Sequence, residues 1–227
     1  MRFALLPASA TGAARRILLA RGLRAFADGF VSVLLPVYLL NLGVSATGVG
    51  VLATATLLGS ALLTLAVGLW AGRVSRTALL LAASALMAAT GIAFGTIEAF
   101  WPLALVAFVG TINPSTGDVS IFLPLEQSIL AESVAPSDRT ALFARYSLMG
   151  ALFGAFGTLL AAAPDWLQAA FDWTPRASLQ AMFFLYAFIG GCAALIYRGL
   201  RPPPFRGEQQ QTPLGPSRRT VYRLAAL

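Results

Sequence analysis

Runs of about twenty apolar residues, separated by short polar clusters, dominate the chain. A helix of about 20 such residues, rising 1.5 Å per residue, crosses the roughly 30 Å hydrocarbon core of a bilayer. The pattern predicts six spans, over residues 23–42, 47–71, 78–97, 100–131, 141–163 and 179–197. The expected fold class is therefore an all-α membrane protein with six transmembrane helices. Residues 1–16 read as a cytoplasmic N-terminal segment and 17–199 as the six-helix bundle. Residues 200–227 read as a Pro/Gln-rich cytoplasmic linker leading toward an absent seventh helix. Connections are short except at 164–177, where Trp166, Phe171 and Trp173 are residues suited to headgroup level.

The fourth span is the anomaly. It is too long, and it turns polar at Asn113, Pro114, Ser115, Thr116, Gly117 and Asp118 before carrying Pro124, Glu126 and Gln127. An ionisable side chain at membrane depth costs about 2.5–3.5 kcal/mol or more unless it faces a bundle interior or water. Pro114 and Gly117 predict a break, and irregular backbone at this depth is tolerated only inside protein or beside a cavity. Asn113, Ser115, Thr116 and Asp118 then become candidates for a cavity lining. In the competing reading the segment leaves the membrane here, and Asp118 sits near the inner headgroups. Asp28 in the first span is a second candidate for a pathway or coupling role, and Tyr38 and Pro36 are placed facing the same cavity.

Spacing suggests partners for the other charges. Arg24 and Asp28 are four apart, on one helix face, and form an expected local pair. Spans four and five follow one another through the turn at Pro136 and should be antiparallel neighbours. That arrangement puts Glu132 level with Arg139 and Glu126 level with Arg145, two nested pairs about 9–10 Å apart along the axis. They serve either as helix-to-helix glue at the cytoplasmic rim or as a moving gate. Gly150, Gly154 and Gly157 in span five have the spacing of close helix packing.

Composition agrees with the pattern and narrows the chemistry. The chain is 58% hydrophobic and 11% charged, against roughly 25% charged in soluble domains, which points to an integral, multi-pass protein of a bacterial-type inner or plasma membrane. All sixteen basic residues are arginine. With N- and C-termini placed inside, almost all of them fall on the cytoplasmic side and only Arg176 falls outside, alongside Glu98, Asp165 and Asp172, so the basic loops favour an N-in, C-in orientation. The positive charge is thus topological and not a nucleic-acid footprint. With no histidine and one cysteine, Cys192, the chain offers no triad, disulfide or metal-ligand framework. No cofactor motif is present. The lipid bilayer is the one partner that composition names.

The stretch from Gly68 to Thr77 resembles the second-to-third loop signature of the major facilitator superfamily. Gly68, Arg73 and Arg76 match it. Gly72 stands at its acidic position, Ser75 at its second glycine and Thr77 at its last basic residue. The family's acidic group normally joins the network that latches the cytoplasmic gate. Glu132 and Arg139 are similarly spaced to a fourth-to-fifth loop motif of many facilitators. The resemblance implies a bundle like the N-terminal half of that fold. In the family, two such halves, each of nested inverted repeats, rock about a midplane site. It further implies secondary-active transport of a small solute, a gate network of Gly68, Arg73, Arg76, Glu126, Glu132, Arg139 and Arg145, and a complementary C-terminal half or a second copy as partner. The alternatives are a non-transporting six-helix scaffold or degenerate transporter fragment and, more remotely, an intramembrane enzyme using the carboxylates of Asp28 and Asp118. A non-enzyme is expected.

Overall fold

A computed structural model describes residues 10–70, 73–112 and 120–200. The described residues are helical nearly throughout. The elements are α1 (Gly12–Asn41), α2 (Ala46–Trp70), α3 (Arg76–Thr96), α4 (Phe100–Val109), α5 (Phe122–Glu132), α6 (Arg139–Leu160), α7 (Ala163–Phe171) and α8 (Pro175–Arg198), with a 3₁₀ turn at Pro136–Asp138 before α6. Five stretches are long and apolar enough to cross a membrane: α1, α2, α3, the run from Pro136 to Phe171, and α8. The expected fourth span is instead two short helices of 10 and 11 residues, each about 15 Å long and too short to cross alone. Residues 110–112 and 120–121 between them are not helical. Pro114 and Gly117 lie outside the described residues.

Local signals set the boundaries. Gly43 adopts a left-handed φ of 82° just after α1, a conformation that costs glycine little. Ser75 caps α3 by accepting from the Ala78 amide at 3.2 Å, and Thr174 caps α8 by accepting from Ala177 at the same distance. α1 starts well before the expected residue 23. Its early turns bury Ala14, Ile17 and Leu18 in an apolar core with Leu130, Val134, Leu142 and Leu200. The Thr11 amide also donates to the Ser133 carbonyl at 3.1 Å. The connection at 164–177 is not irregular throughout. Pro164 and Asp165 open α7 in its first turn, and Asp172 closes it in the left-handed region.

The closest helix packing is of α3 with α8 and α1 with α6, followed by α1 with α8 and α2 with α4. The expectation that spans four and five pair as neighbours fails here, because α5 and α6 meet only sparsely and α6 packs along α1. The reason is steric. A Cβ on Gly157 would collide with the Phe26 carbonyl, and one on Gly29 with the Gly154 carbonyl. The other pairs use the same device. Gly59 sits against the Phe108 carbonyl, and a Cβ on Gly91 would lie 2.7 Å from the Phe183 carbonyl oxygen. In lipid, where tails are as apolar as leucine, such backbone approach is a main source of helix association. Leu58, Leu62, Leu65 and Leu69 form an exposed stripe along the other side of α2.

The bundle has two ends. The starts of α1, α3 and α6 and the ends of α5 and α8 share one of them, joined by Thr11 to Ser133, Arg76 to Glu132, and Arg16 over Gly199. The end of α3 and the start of α8 meet at the other, where Arg176 binds both Glu98 oxygens at 3.1 and 3.0 Å. Substituting Gly157 by valine should destabilise the detergent-solubilised protein by about 1–3 kcal/mol through overpacking. Gly191→Ala, where the added methyl meets nothing within 4 Å, should leave thermal unfolding unchanged; equal effects of both changes would contradict the packing described.

Candidate functional site

The apolar interior is divided. One core gathers Phe30, Leu34, Leu39, Phe94, Leu103 and Phe183 toward the Glu98–Arg176 end, and the other gathers Ile17, Leu80, Leu125, Ile129 and Leu142 toward the Arg76–Glu132 end. Ile112 belongs to the first and Ile121 to the second. The interruption of the fourth span therefore falls where the two cores meet. The buried charges lie beside that boundary.

Arg24 is 2% exposed and Glu126 is fully buried. The Arg24 Nη2 donates to Glu126 Oε2 at 2.6 Å, and its Nε donates to the Tyr197 hydroxyl at 3.1 Å. The guanidinium carbon also lies over the Phe122 ring, 3.8 Å from its centroid, a position favourable for a desolvated cation. Glu126 accepts two further hydrogen bonds, one from Tyr146 at 2.6 Å and one from Tyr197. Both Glu126 oxygens are thus occupied, and α1, α5, α6 and α8 are joined through one carboxylate. Beside it, Arg21 lies over the Tyr146 ring at 5.0 Å and fills the space above Gly150.

This arrangement corrects two expected pairings and adds a stronger partner to a third. Glu126 binds Arg24 rather than Arg145: α5 meets both α1 and α6, and the side chain that α6 brings to Glu126 is Tyr146, not its neighbour Arg145. The Arg145 Nη1 is buried with no hydrogen-bond partner among the described residues. Glu132 binds Arg76 at 2.8 Å, with both side chains part-exposed, while Arg139 donates from Nε to the Ala131 carbonyl at 3.0 Å. Arg24 directs its hydrogen bonds across the bundle and not to Asp28, although Asp28, one turn along α1, remains within electrostatic reach of Arg24 and of Tyr186. Gly68 faces open space and Arg73 is exposed. Asn113, Ser115, Thr116 and Asp118 lie outside the described residues.

Three tyrosines were not singled out by the sequence pattern. Tyr146 and Tyr197 complete the shell of Glu126. Tyr186 is buried about three turns nearer the start of α8 and donates to the Thr111 carbonyl at 3.3 Å, with the two hydroxyls also 3.3 Å apart. The signal was available: tyrosines in the interior of apolar spans, away from the interfaces, need a partner for the hydroxyl. Tyr38, expected to face a cavity, is instead core. It packs on Phe183 at 4.8 Å and donates to the Ile97 carbonyl at 3.4 Å. Glu126→Gln removes the countercharge of a buried guanidinium and should cost about 3–5 kcal/mol. Glu132→Gln, at a part-exposed pair, should cost about 0–1 kcal/mol. Unfolding of both variants in detergent checks the contrast.

Comparison with curated proteins returns no match. The sequence pattern of the Major Facilitator Superfamily matches residues 17–225, covering all the helices described above except the first turns of α1. The chain is a member of the Major Facilitator Superfamily, an integral multi-pass membrane protein of a family that moves solutes across membranes rather than transforming them.

Proposed function

We propose that this chain acts in secondary-active transport of a small solute by alternating access, as an N-terminal six-span half oriented with both termini in the cytoplasm. The observation that carries the reading is the meeting of the two cores at the interrupted fourth span. There Asp28, Thr111 and Tyr186 bring a carboxylate, two hydroxyls and a backbone carbonyl to the middle of an otherwise apolar bundle. Polar groups at such depth need protein or water as partners, and a solute pathway supplies both.

In this reading the buried Arg24–Glu126 cluster holds α1, α5, α6 and α8 together as one moving body. Arg76, Glu132 and Arg139 belong to its cytoplasmic rim, beside Gly68, Arg73 and Arg145, where a gate would close. Asn113, Ser115, Thr116 and Asp118, which lie outside the described residues, are the further pathway candidates read from the sequence. A second six-helix body, a complementary half or a second copy, supplies the opposing wall, and the plasma membrane is the site of action. The replaced loop residues Gly72, Ser75 and Thr77 support the rival reading of a non-transporting scaffold.

Reconstitution into liposomes separates the two. A panel of labelled solutes is offered to the chain alone and to the chain with a complementary half, under an imposed ion gradient. Gradient-dependent uptake of at least one solute, reduced at least tenfold by Asp28→Asn in correctly inserted protein, is the expected result. Uptake equal to empty liposomes in both preparations, for every solute, would leave the scaffold reading standing.

A further inference from the structure

We infer that α7 is an in-plane membrane helix, docked at the headgroup–acyl boundary of the leaflet facing the Glu98–Arg176 end, with Trp166 as its principal anchor. The helix has two unlike faces. Pro164 is buried and Gln168 is half-buried, its Nε2 donating to the Pro164 carbonyl at 3.1 Å and to the Ser178 hydroxyl of α8 at 3.2 Å. That face is fixed to the bundle. The opposite one carries Trp166, which is 62% exposed, with Ala169 and Ala170. Phe171, at the end of the helix, meets the Trp166 ring edge-on at 5.6 Å and is itself exposed. An aromatic pair left open on a helix tied to its neighbour needs an occupant.

The surroundings identify that occupant as lipid. Trp101 at the start of α4 and Trp173 just before α8 are also exposed at this end of the bundle, beside Phe100. Indole rings, apolar with one N–H donor, are enriched where acyl chains meet headgroups. The exposed carboxylates of Asp165 and Asp172 flank the aromatic face, so each end of α7 has a wet side. The described arginines away from this end, Arg15, Arg16, Arg73, Arg76, Arg139 and Arg198, sit at the other, whereas Arg176 is bound to Glu98. The preceding helix α6 also exposes apolar side chains, Leu152, Phe156 and Leu159, as a span facing acyl chains does. A protein partner fits the size poorly. Nine residues make a helix about 13 Å long, whose outer face is far smaller than the roughly 800 Å² per partner of a stable protein interface.

Depth-resolved quenching tests the placement. The full chain, carrying Trp166 as its sole tryptophan after Trp70, Trp101 and Trp173 are changed to Phe, is reconstituted in phosphatidylcholine vesicles brominated at the 6,7, 9,10 or 11,12 acyl positions. Quenching strongest with the 6,7-dibromo lipid and at least twofold weaker with the 11,12-dibromo lipid is expected, with acrylamide quenching reduced severalfold against free indole. Strongest quenching by the deepest bromines would place α7 in the acyl core and overturn the inference. Quenching by acrylamide alone would place it in water and overturn it equally. Should the triple substitution prevent folding, the loss of 6,7-dibromo quenching on going from the unaltered chain to Trp166→Phe gives the same answer: no loss refutes the anchor.

Discussion

An arginine and a glutamate removed from water inside a lipid-embedded bundle constrain this molecule more than any other contact. Either charge alone at that depth would be unfavourable by several kcal/mol. Together, Arg24 and Glu126 are satisfied from every direction: a guanidinium–carboxylate bond at 2.6 Å, two tyrosine hydroxyls on the carboxylate, and the Phe122 ring under the cation. The groups come from α1, α5, α6 and α8, so the cluster is satisfied only when all four helices are in place. It is weak evidence for high stability, since buried pairs are often no better than apolar replacements. What the geometry supplies is register. α5 is a short helix of 11 residues, and its position is set by Glu126 and Phe122 together with the Thr11–Ser133 bond.

Around that cluster the packing obeys a simple rule. Backbones meet where glycine allows it, at α1 on α6, α2 on α4 and α3 on α8. Leucine-rich faces point outward. The ionic contacts at the two ends, Arg76–Glu132 and Glu98–Arg176, place arginines in the first turns of α3 and α8, where a cation opposes the helix dipole, and each is compensated by an acidic side chain from a neighbouring segment. A family whose members carry solutes needs such rigid bodies, because a body that deforms cannot transmit rocking to a gate. The polar groups between the two cores are where the same bundle departs from being a purely apolar solid.

Much of this was legible in the residues. Apart from the fourth, span positions followed from apolar run length, and the fourth was expected to be interrupted, with the described residues 110–112 and 120–121 non-helical. The closeness of Gly154 and Gly157 to another helix was readable from their spacing. Pairing was not legible, because charges were assigned to sequence neighbours. Arg24 was matched with Asp28 along one helix, and Glu126 with Arg145 across one turn, whereas the actual contact joins residues 102 apart. Helix periodicity says which residues share a face, but it does not say which helix the face meets. The start of α1 was missed for a related reason: Arg15, Arg16 and Arg21 mark the chain as polar there, yet their stems run along a helix whose other side buries Ala14 and Ile17.

The central claim is that Glu126 is the countercharge of Arg24. A double-mutant cycle measures it, using Arg24→Met and Glu126→Leu, singly and combined, with unfolding followed in detergent micelles and the Arg145→Met, Glu126→Leu cycle as its reference. The structure predicts a coupling of about 2–3 kcal/mol between positions 24 and 126 and less than about 0.5 kcal/mol between 126 and 145. Additive effects at 24 and 126, or a larger coupling at 126 and 145, would contradict it.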